Sequence, residues 1–585
     1  PPTAQNWAYG CWAQFSGDGF WDMSNEHVNP RSLYYAQLKD RLGEQVESRT
    51  FLMPVESGAS SSPSVETALE LTKLAVNPAP LLTDFIDAAP ERNAISTSVP
   101  KGVKTIDQIG VEAPGTPMLA PAMEVKNGWL ARGAVVLSGM RQDVQWWTGS
   151  SRDYYLPQSR DHITRFVPGE TGKGLTDNLD TVINHMKQNH VLAIDHNYGL
   201  WYERRRDDHE RIRRMDGEVR PPFYELPVAR SGQGTAWDGL SKYDLTKYNS
   251  FYWGRLKQFA DLADQNGLAL IHENYFQHNI IEAGAHYADF PWRPANNINN
   301  TGFPEPVPYA GDKRLFLAEQ FYDINHPVRR ALHRQYIRQC LDNFKENSGV
   351  IQLISAEYTG PLHFVEFWLD VIKEWEDETG KHPIIGLSAT KDVQDAILAD
   401  KKRAAVVDLI DIQYWYYQEN GEAYAPKGGQ NLAPRQHARV TKSKGTSFEQ
   451  VYRAVNEYRT ANSGKAVTYS ANSFDRQAWA VFMAGGSIAN LPEMENKAFL
   501  SAAYEMQPVK SSSSGEYRLQ GEKGMIIYKT TDAKTAVTLS KGSYEVCVIN
   551  PSNGKNIKTY KVKGGQMVDL DGADKGSSVL FVSKK

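Results

Sequence analysis

The residues best suited to chemistry stand just after short apolar runs. Val191-Leu192-Ala193-Ile194 leads into Asp195-His196-Asn197, Leu268-Ala269-Leu270-Ile271 into His272-Glu273-Asn274, and Val350-Ile351-Gln352-Leu353-Ile354 into Ser355-Ala356-Glu357-Tyr358. Two further runs end in Asp411, Gln413 and Tyr414, and in Ser470-Ala471-Asn472. Carboxylates, imidazoles, amides and phenols gathered in this way are what cleavage of a glycosidic bond requires. One carboxyl group protonates the leaving oxygen while a second attacks the sugar or activates water, about 5–5.5 Å apart for retention and about 6.5–9.5 Å for inversion. Glu357 is the first candidate for the acid and Glu273 for its partner, with Asp411 completing the expected catalytic set.

The expected substrate contacts are Asp195, His196, Asn197, Tyr198, Trp201, Arg204, His272, Asn274, Tyr358, Tyr414, Trp415 and Asn472. With 14 Trp, 29 Tyr and 21 Phe, many beside Gly, Asn or charged residues, the chain has the rings to stack on the apolar faces of sugars. Arg204-Arg205-Arg206 and Arg211, Arg213 and Arg214 could grip a uronate or sulfate through bidentate contacts, which points to an acidic plant or algal glycan. Asp207, Asp208 and Glu210 can neutralise that run locally, and Arg330, Arg334 and Arg338 read as a solvated helix face. A second class of chemistry uses the same residues: a polysaccharide lyase, with a Tyr or His base drawn from His196, His272, Tyr198 and Tyr358 and with Arg204 neutralising a uronate. A catalytically silent glycan-binding protein is the third reading.

Other classes find less support. Lys and Arg total 65 against 69 Asp and Glu, so a net charge of −4 offers no overall field for nucleic acid. No apolar stretch of about 20 residues is present to span a membrane. No His pair has the spacing of a His-Glu-x-x-His helix, so neither metal nor other cofactor is expected. No Gly-x-Ser-x-Gly elbow occurs, and Cys11, Cys340 and Cys547 are too far apart for a zinc or redox motif. Nothing in the pattern specifies an oligomeric state.

These candidates need elements that bring strand ends together. Apolar runs alternate with amphipathic segments from Ala134-Val135-Val136-Leu137 to Ser487-Ile488-Ala489-Asn490, giving eight strand candidates with intervening helices. The pattern predicts a (β/α)8 barrel over residues 129–505, with a doubly wound open sheet as the alternative, and active groups at the C-terminal strand ends. Residues 1–128 read as an extension wrapped on the barrel. Residues 516–585, beyond the Ser511–Gly515 linker, alternate with period two and read as a small β-sandwich that chemistry does not need.

Three stretches carry a family resemblance: Ser355-Ala356-Glu357-Tyr358, Trp479-Ala480-Val481-Phe482-Met483-Ala484-Gly485-Gly486, and Val548-Ile549-Asn550-Pro551-Ser552-Asn553-Gly554. They resemble the polysaccharide-degrading proteins of gut Bacteroidetes in which a (β/α)8 glycoside hydrolase carries a C-terminal β-sandwich of collagen-binding type, the apiosidase-like hydrolases among them. The resemblance implies hydrolysis of a complex polysaccharide by an exported protein, in the periplasm or at the cell surface. No signal-like apolar run follows Pro1-Pro2. Related barrel hydrolases usually present Asn-Glu at the fourth strand and a nucleophilic Glu at the seventh. Here Ala356-Glu357 and Ser470-Ala471-Asn472-Ser473-Phe474-Asp475 stand there, leaving open an inverting Glu357–Glu273 pair, Asp475 as nucleophile, or a different reaction.

Overall fold

Strands apolar on both faces are stable only when both faces are covered, by helices outside and by other strands' side chains inside. The computed structural model describes residues 120–142, 179–198, 226–277 except 235 and 237–241, 290–303, and 313–585 except 431–437, 439–440, 473, 512, 532–533 and 574–575. Most of the expected N-terminal extension lies outside the described residues.

The described chain begins with a small antiparallel sheet, β1 (Met123–Lys126), β2 (Trp129–Arg132) and β3 (Val135–Val136). Seven parallel strands follow: β4 (Met140–Gln142), β5 (Val191–His196), β8 (Ala269–Phe276), β9 (Val350–Ala356), β10 (Ile384–Ser388), β11 (Leu409–Ile412) and β14 (Ala466–Tyr469). They lie side by side in chain order in one curled sheet. Between its strands come the antiparallel pairs β6 (Val228–Arg230) with β7 (Tyr243–Tyr248), and β12 (Tyr416–Tyr417) with β13 (Ala423–Tyr424). Residues 487–489 reach both edges of the sheet: Ser487 N–H donates to Val467 O, Ile488 N–H to Leu137 O, and Gly139 N–H to Ala489 O. The result is a TIM-like α/β fold.

The covering helices are α1 (Leu179–Gln188), α2 (Ser250–Gln265), α3 (Lys313–Tyr322), α4 (Pro327–Phe344), α5 (Leu362–Thr379), α6 (Lys391–Ala399), α7 (Lys401–Ala404), α8 (Phe448–Ala461), α9 (Ala478–Met483) and α10 (Phe499–Ala503). Pro327 opens α4 at a position where its missing N–H costs nothing, and Gly380, at φ 66°, closes α5 through a bond to Glu376 O.

The first strand differs from the expectation. Val135 and Val136 pair antiparallel with β2, and the parallel strand begins at Met140. The reason is packing: Met123, Leu130 and Leu137 fill the N-terminal end of the barrel with Ile271, Ile351, Leu353, Leu409 and Ile488. Each such aliphatic burial stabilises by about 1.5–3 kcal/mol. Above this plug the interior turns polar.

The C-terminal segment forms a six-stranded antiparallel sheet ordered β15 (Gln507–Val509), β16 (Glu516–Gly521), β17 (Gly524–Lys529), β22 (Ser578–Lys584), β19 (Ser543–Ile549) and β20 (Asn556–Lys563), covered by the ribbon β18 (Thr535–Thr538) and β21 (Met567–Leu570). Its strands serve two cores with period two. Met525, Ile527, Val546, Val548 and Leu580 face the ribbon, whereas Leu519, Ile526, Ile549, Val579 and Phe581 join Trp479, Phe482 and Phe499 of the barrel helices. Trp479 stacks on Tyr528 with centroids 5.7 Å apart and donates its indole N–H to Pro551 O. The sheet therefore shares a core with the barrel and enlists residues before the serine-rich stretch.

Candidate active site

Strand register assembles the polar floor. Ser388, Asp411 and Thr468 lie at one level of β10, β11 and β14, and all three are buried. Ser388 Oγ donates to Asp411 Oδ2 at 3.0 Å and Thr468 Oγ1 to Asp411 Oδ1 at 2.9 Å. Arg141 enters from β4, its Nε 2.6 Å from Asp195 Oδ2, its Nη1 2.9 Å from Asp411 Oδ1 and 3.3 Å from Ser470 Oγ. Burial opposes the guanidinium charge, but Asp195, Asp411 and Glu273 outweigh it and hold the group's pKa above its ordinary value. Arg141 thus ties one side of the barrel to the other.

Two more carboxylates come from β8 and β9: Glu273 lies inside β8, level with Leu353, because the strand runs past the apolar run to Phe276, and Glu357 follows the end of β9. Glu273 is buried and faces inward between the outward-facing His272 and Asn274, and Asn197 Nδ2 donates to its Oε2 at 3.0 Å. Glu357 directly follows β9 and adopts φ +54°, a left-handed conformation that costs a residue with a Cβ about 1–2 kcal/mol. Such strain persists where surrounding contacts over-determine it, and it clusters at functional sites. Here the contacts come from Gln277, whose Nε2 donates to Glu357 O at 2.8 Å. The Tyr414 phenol is raised well above its ordinary pKa by burial and then by Glu273, Glu357 and Asp411, in that order. One side chain thus senses three carboxylates, and it remains a hydroxyl donor at any working pH.

Several expected contacts face elsewhere, because alternate residues of a strand point to opposite faces. His196 and His272 are fully buried on the helix side, ring centroids 6.0 Å apart, with His272 packed on Trp253 and Phe344. Burial lowers the pKa of both, His272 to about 4, so they are neutral packing groups. Asn274 bonds Gln352 Oε1 and the Trp368 indole. Trp415 is buried and donates to Gln394 Oε1 at 2.7 Å. Tyr358 is fully buried and donates to Pro361 O at 2.7 Å. Tyr198 reaches Phe276 O at 3.5 Å and lines an apolar recess of about 470 Å³, mouth included, with Tyr275, Trp292, Phe321 and Tyr336. Asp195 and Asp411 do lie in the floor, committed to Arg141. Asn472 is exposed beyond β14. Asp475 belongs to the 3-10 turn Phe474–Gln477, its side chain undescribed, and Trp201 and Arg204 lie outside the described residues.

Arg141, Gln277, Ser388 and Thr468 were not among the expected site residues. Ser388 ends β10 and Thr468 stands one residue before the end of β14, a position after an apolar run that could have marked them, whereas Arg141, in the middle of the short β4, and Gln277, placed by the β8–β9 register, carry no such local signal. Among the described residues no group of three His, Cys, Asp or Glu could hold a metal ion, and no helix is long and apolar enough to cross a membrane.

Comparison with known proteins gives low-level likenesses. A glycoside hydrolase family 5 protein from Bacteroides vulgatus is 11% identical, with 80% of this chain and 95% of that one covered at a TM-score of 0.43. A structure described as "Glycoside hydrolase" is 11% identical over 80% and 97% of the two chains at 0.41, and an alfa-galactosidase from Saccharomyces cerevisiae is 8% identical over 80% and 100% at 0.34. No curated protein matches. A family model described as "Domain of unknown function (DUF6298)" matches residues 19–506, a span that holds every strand of the parallel sheet and all the carboxylates of its floor, and the chain belongs to that family.

Proposed function

We propose that this protein is a glycoside hydrolase in which Glu357 is the general acid and Glu273 its partner carboxylate. The observation that carries the reading is that neighbouring strands supply both carboxylates, Glu357 just past β9 on a left-handed backbone held by Gln277 and Glu273 buried in β8 with Asn197 on its Oε2. Arg141 with Asp195 and Asp411 forms the rigid base on which the pair stands. Glu357 donates a proton to the leaving oxygen as the glycosidic bond breaks. Glu273, oriented by Asn197, activates the water that adds to the sugar. Tyr414 keeps its proton throughout and offers a hydrogen bond to the carboxylates or to a sugar hydroxyl.

The substrate is a complex polysaccharide of plant or algal origin. The Arg204–Arg206 run follows β5, whose end carries Asp195 and Asn197, so an acidic glycan is the preferred class. The lyase reading loses its best bases, since His196, His272 and Tyr358 are buried away from the floor. Incubation with neutral and uronate-containing oligosaccharides, followed by reducing-end and ultraviolet readouts, tests both. Hydrolysis yields new reducing ends without unsaturated uronate, and that yield disappears in Glu357→Gln and Glu273→Gln. Unsaturated product, or full turnover by both variants, would overturn the proposal.

A further inference from the structure

The amide of Gln277 is buried and uses its full bonding capacity. Its Nε2 donates to Glu357 O at 2.8 Å and to Thr359 Oγ1 at 2.9 Å, while its Oε1 accepts from Thr359 N–H and from Tyr322 O–H, each at 3.0 Å. A primary amide has two donors and two acceptor lone pairs, and here all four are taken. The arrangement fixes which way the amide points. A flipped group would set its oxygen against the carbonyl of Glu357 and its NH₂ against the N–H of Thr359.

Gln277 therefore grips the main chain on both sides of Tyr358 and reaches it from another strand. Phe276 pairs with Ala356 in the β8–β9 register, which puts Gln277 level with Glu357. Left to itself, Glu357 would leave φ +54°, and its side chain would swing with the backbone. Tyr322 ties the clamp to α3, its ring against that of Tyr358 at 5.8 Å. The far end of the turn is held separately by Gly429 N–H, which donates to Thr359 O and Gly360 O.

We propose that Gln277 is a positioning residue, whose amide locks the left-handed backbone of Glu357 and so aims that carboxyl group at the scissile bond. The inference rests on Glu357 being the acid. Gln277 need not touch substrate, and its effect passes through the backbone.

The test uses the full chain and the oligosaccharide it hydrolyses fastest in the panel above. Gln277→Met keeps the side-chain volume and removes all four bonds. It should lower kcat about 10²-fold, the usual consequence of displacing a reacting group by about 1 Å, and change KM little. Gln277→Glu separates positioning from packing. In its neutral form the carboxyl can still donate to Glu357 O and accept from Thr359 N–H, but the ionised form cannot donate. Its kcat relative to wild type should rise as pH falls, whereas the Gln277→Met ratio stays flat. If Gln277→Met gives a lower Tm with unchanged kcat, or if the Gln277→Glu ratio is flat with pH, the clamp is only structural and the inference fails. A fully active Glu357→Gln would instead refute the underlying assignment, whatever the Gln277 variants do.

Discussion

Replacing Arg141 by Met tests the floor on which the site stands. The change removes a guanidinium bonded to Asp195, Asp411 and Ser470 and leaves two buried carboxylates without their cation. Deleting one partner of a buried pair costs about 3–5 kcal/mol, mostly as the penalty of an uncompensated charge. Ser388 and Thr468 still serve Asp411, which keeps the loss nearer the lower figure. A loss of about 3 kcal/mol reduces the folded-to-unfolded ratio by more than about 100-fold, readable as a shifted urea midpoint by tryptophan fluorescence. The sign of its pH dependence follows from the charge. Protonation relieves a stranded carboxylate, so the gap between variant and wild type should narrow as pH falls from neutrality. Asp411→Asn added to Arg141→Met should recover part of the loss, since the amide carries no charge to strand. A deficit below about 1 kcal/mol, typical of solvated pairs, or one that widens on acidification, would refute the reasoning.

The remaining expectations concern other parts of the chain. Bonds to Asp408 and then Glu376 raise the pKa of His382 to about 10, above an unfolded value of about 6.5. Its contribution is therefore complete below about pH 6.5 and lost as pH rises through about 10, so His382→Gln should lower Tm at pH 6 but scarcely at pH 10.5, by a small amount because the ring is half exposed. Glu357→Gly should abolish turnover yet raise stability by up to about 1 kcal/mol, because glycine adopts the left-handed backbone freely; a destabilised variant in urea unfolding would contradict this. Ending the chain at Ser511 should yield an aggregating or molten product, since it uncovers Trp479, Phe482 and Phe499; a soluble fragment with native near-ultraviolet circular dichroism would show the sheet to be dispensable.

Much of this architecture was legible, because strand and helix periods survive wherever burial dictates the residue. Leu268 to Ile271 and Val350 to Ile354, apolar but for Gln352, mark the first parts of β8 and β9. The first parallel strand was hidden for the converse reason. Arg141 and Gln142 are buried polar residues in a strand of three, while the more apolar Val135-Val136-Leu137 supplies the hairpin and plug. Glu357 reads as a carboxyl group at a strand end and does follow β9, whereas Glu273 reads the same way but lies within β8, which runs on to Phe276, and period two sends its neighbours His272 and Asn274 to the other face. Tyr358 and Trp415 illustrate a different limit. A ring beside polar residues suits a sugar platform and a buried core equally, and only three-dimensional packing chose the core. Gln277 carries no local signal, since its meaning comes from the register between β8 and β9.

The central claim is that Glu357 transfers a proton to a glycosidic oxygen. Its most direct test is the kcat of wild type and Glu357→Gln on the best oligosaccharide of the panel, with both proteins matched for Tm. General acid catalysis contributes about 10²–10⁴-fold, and a loss of that size at unchanged Tm is the expected result. Equal kcat in the two proteins would contradict it.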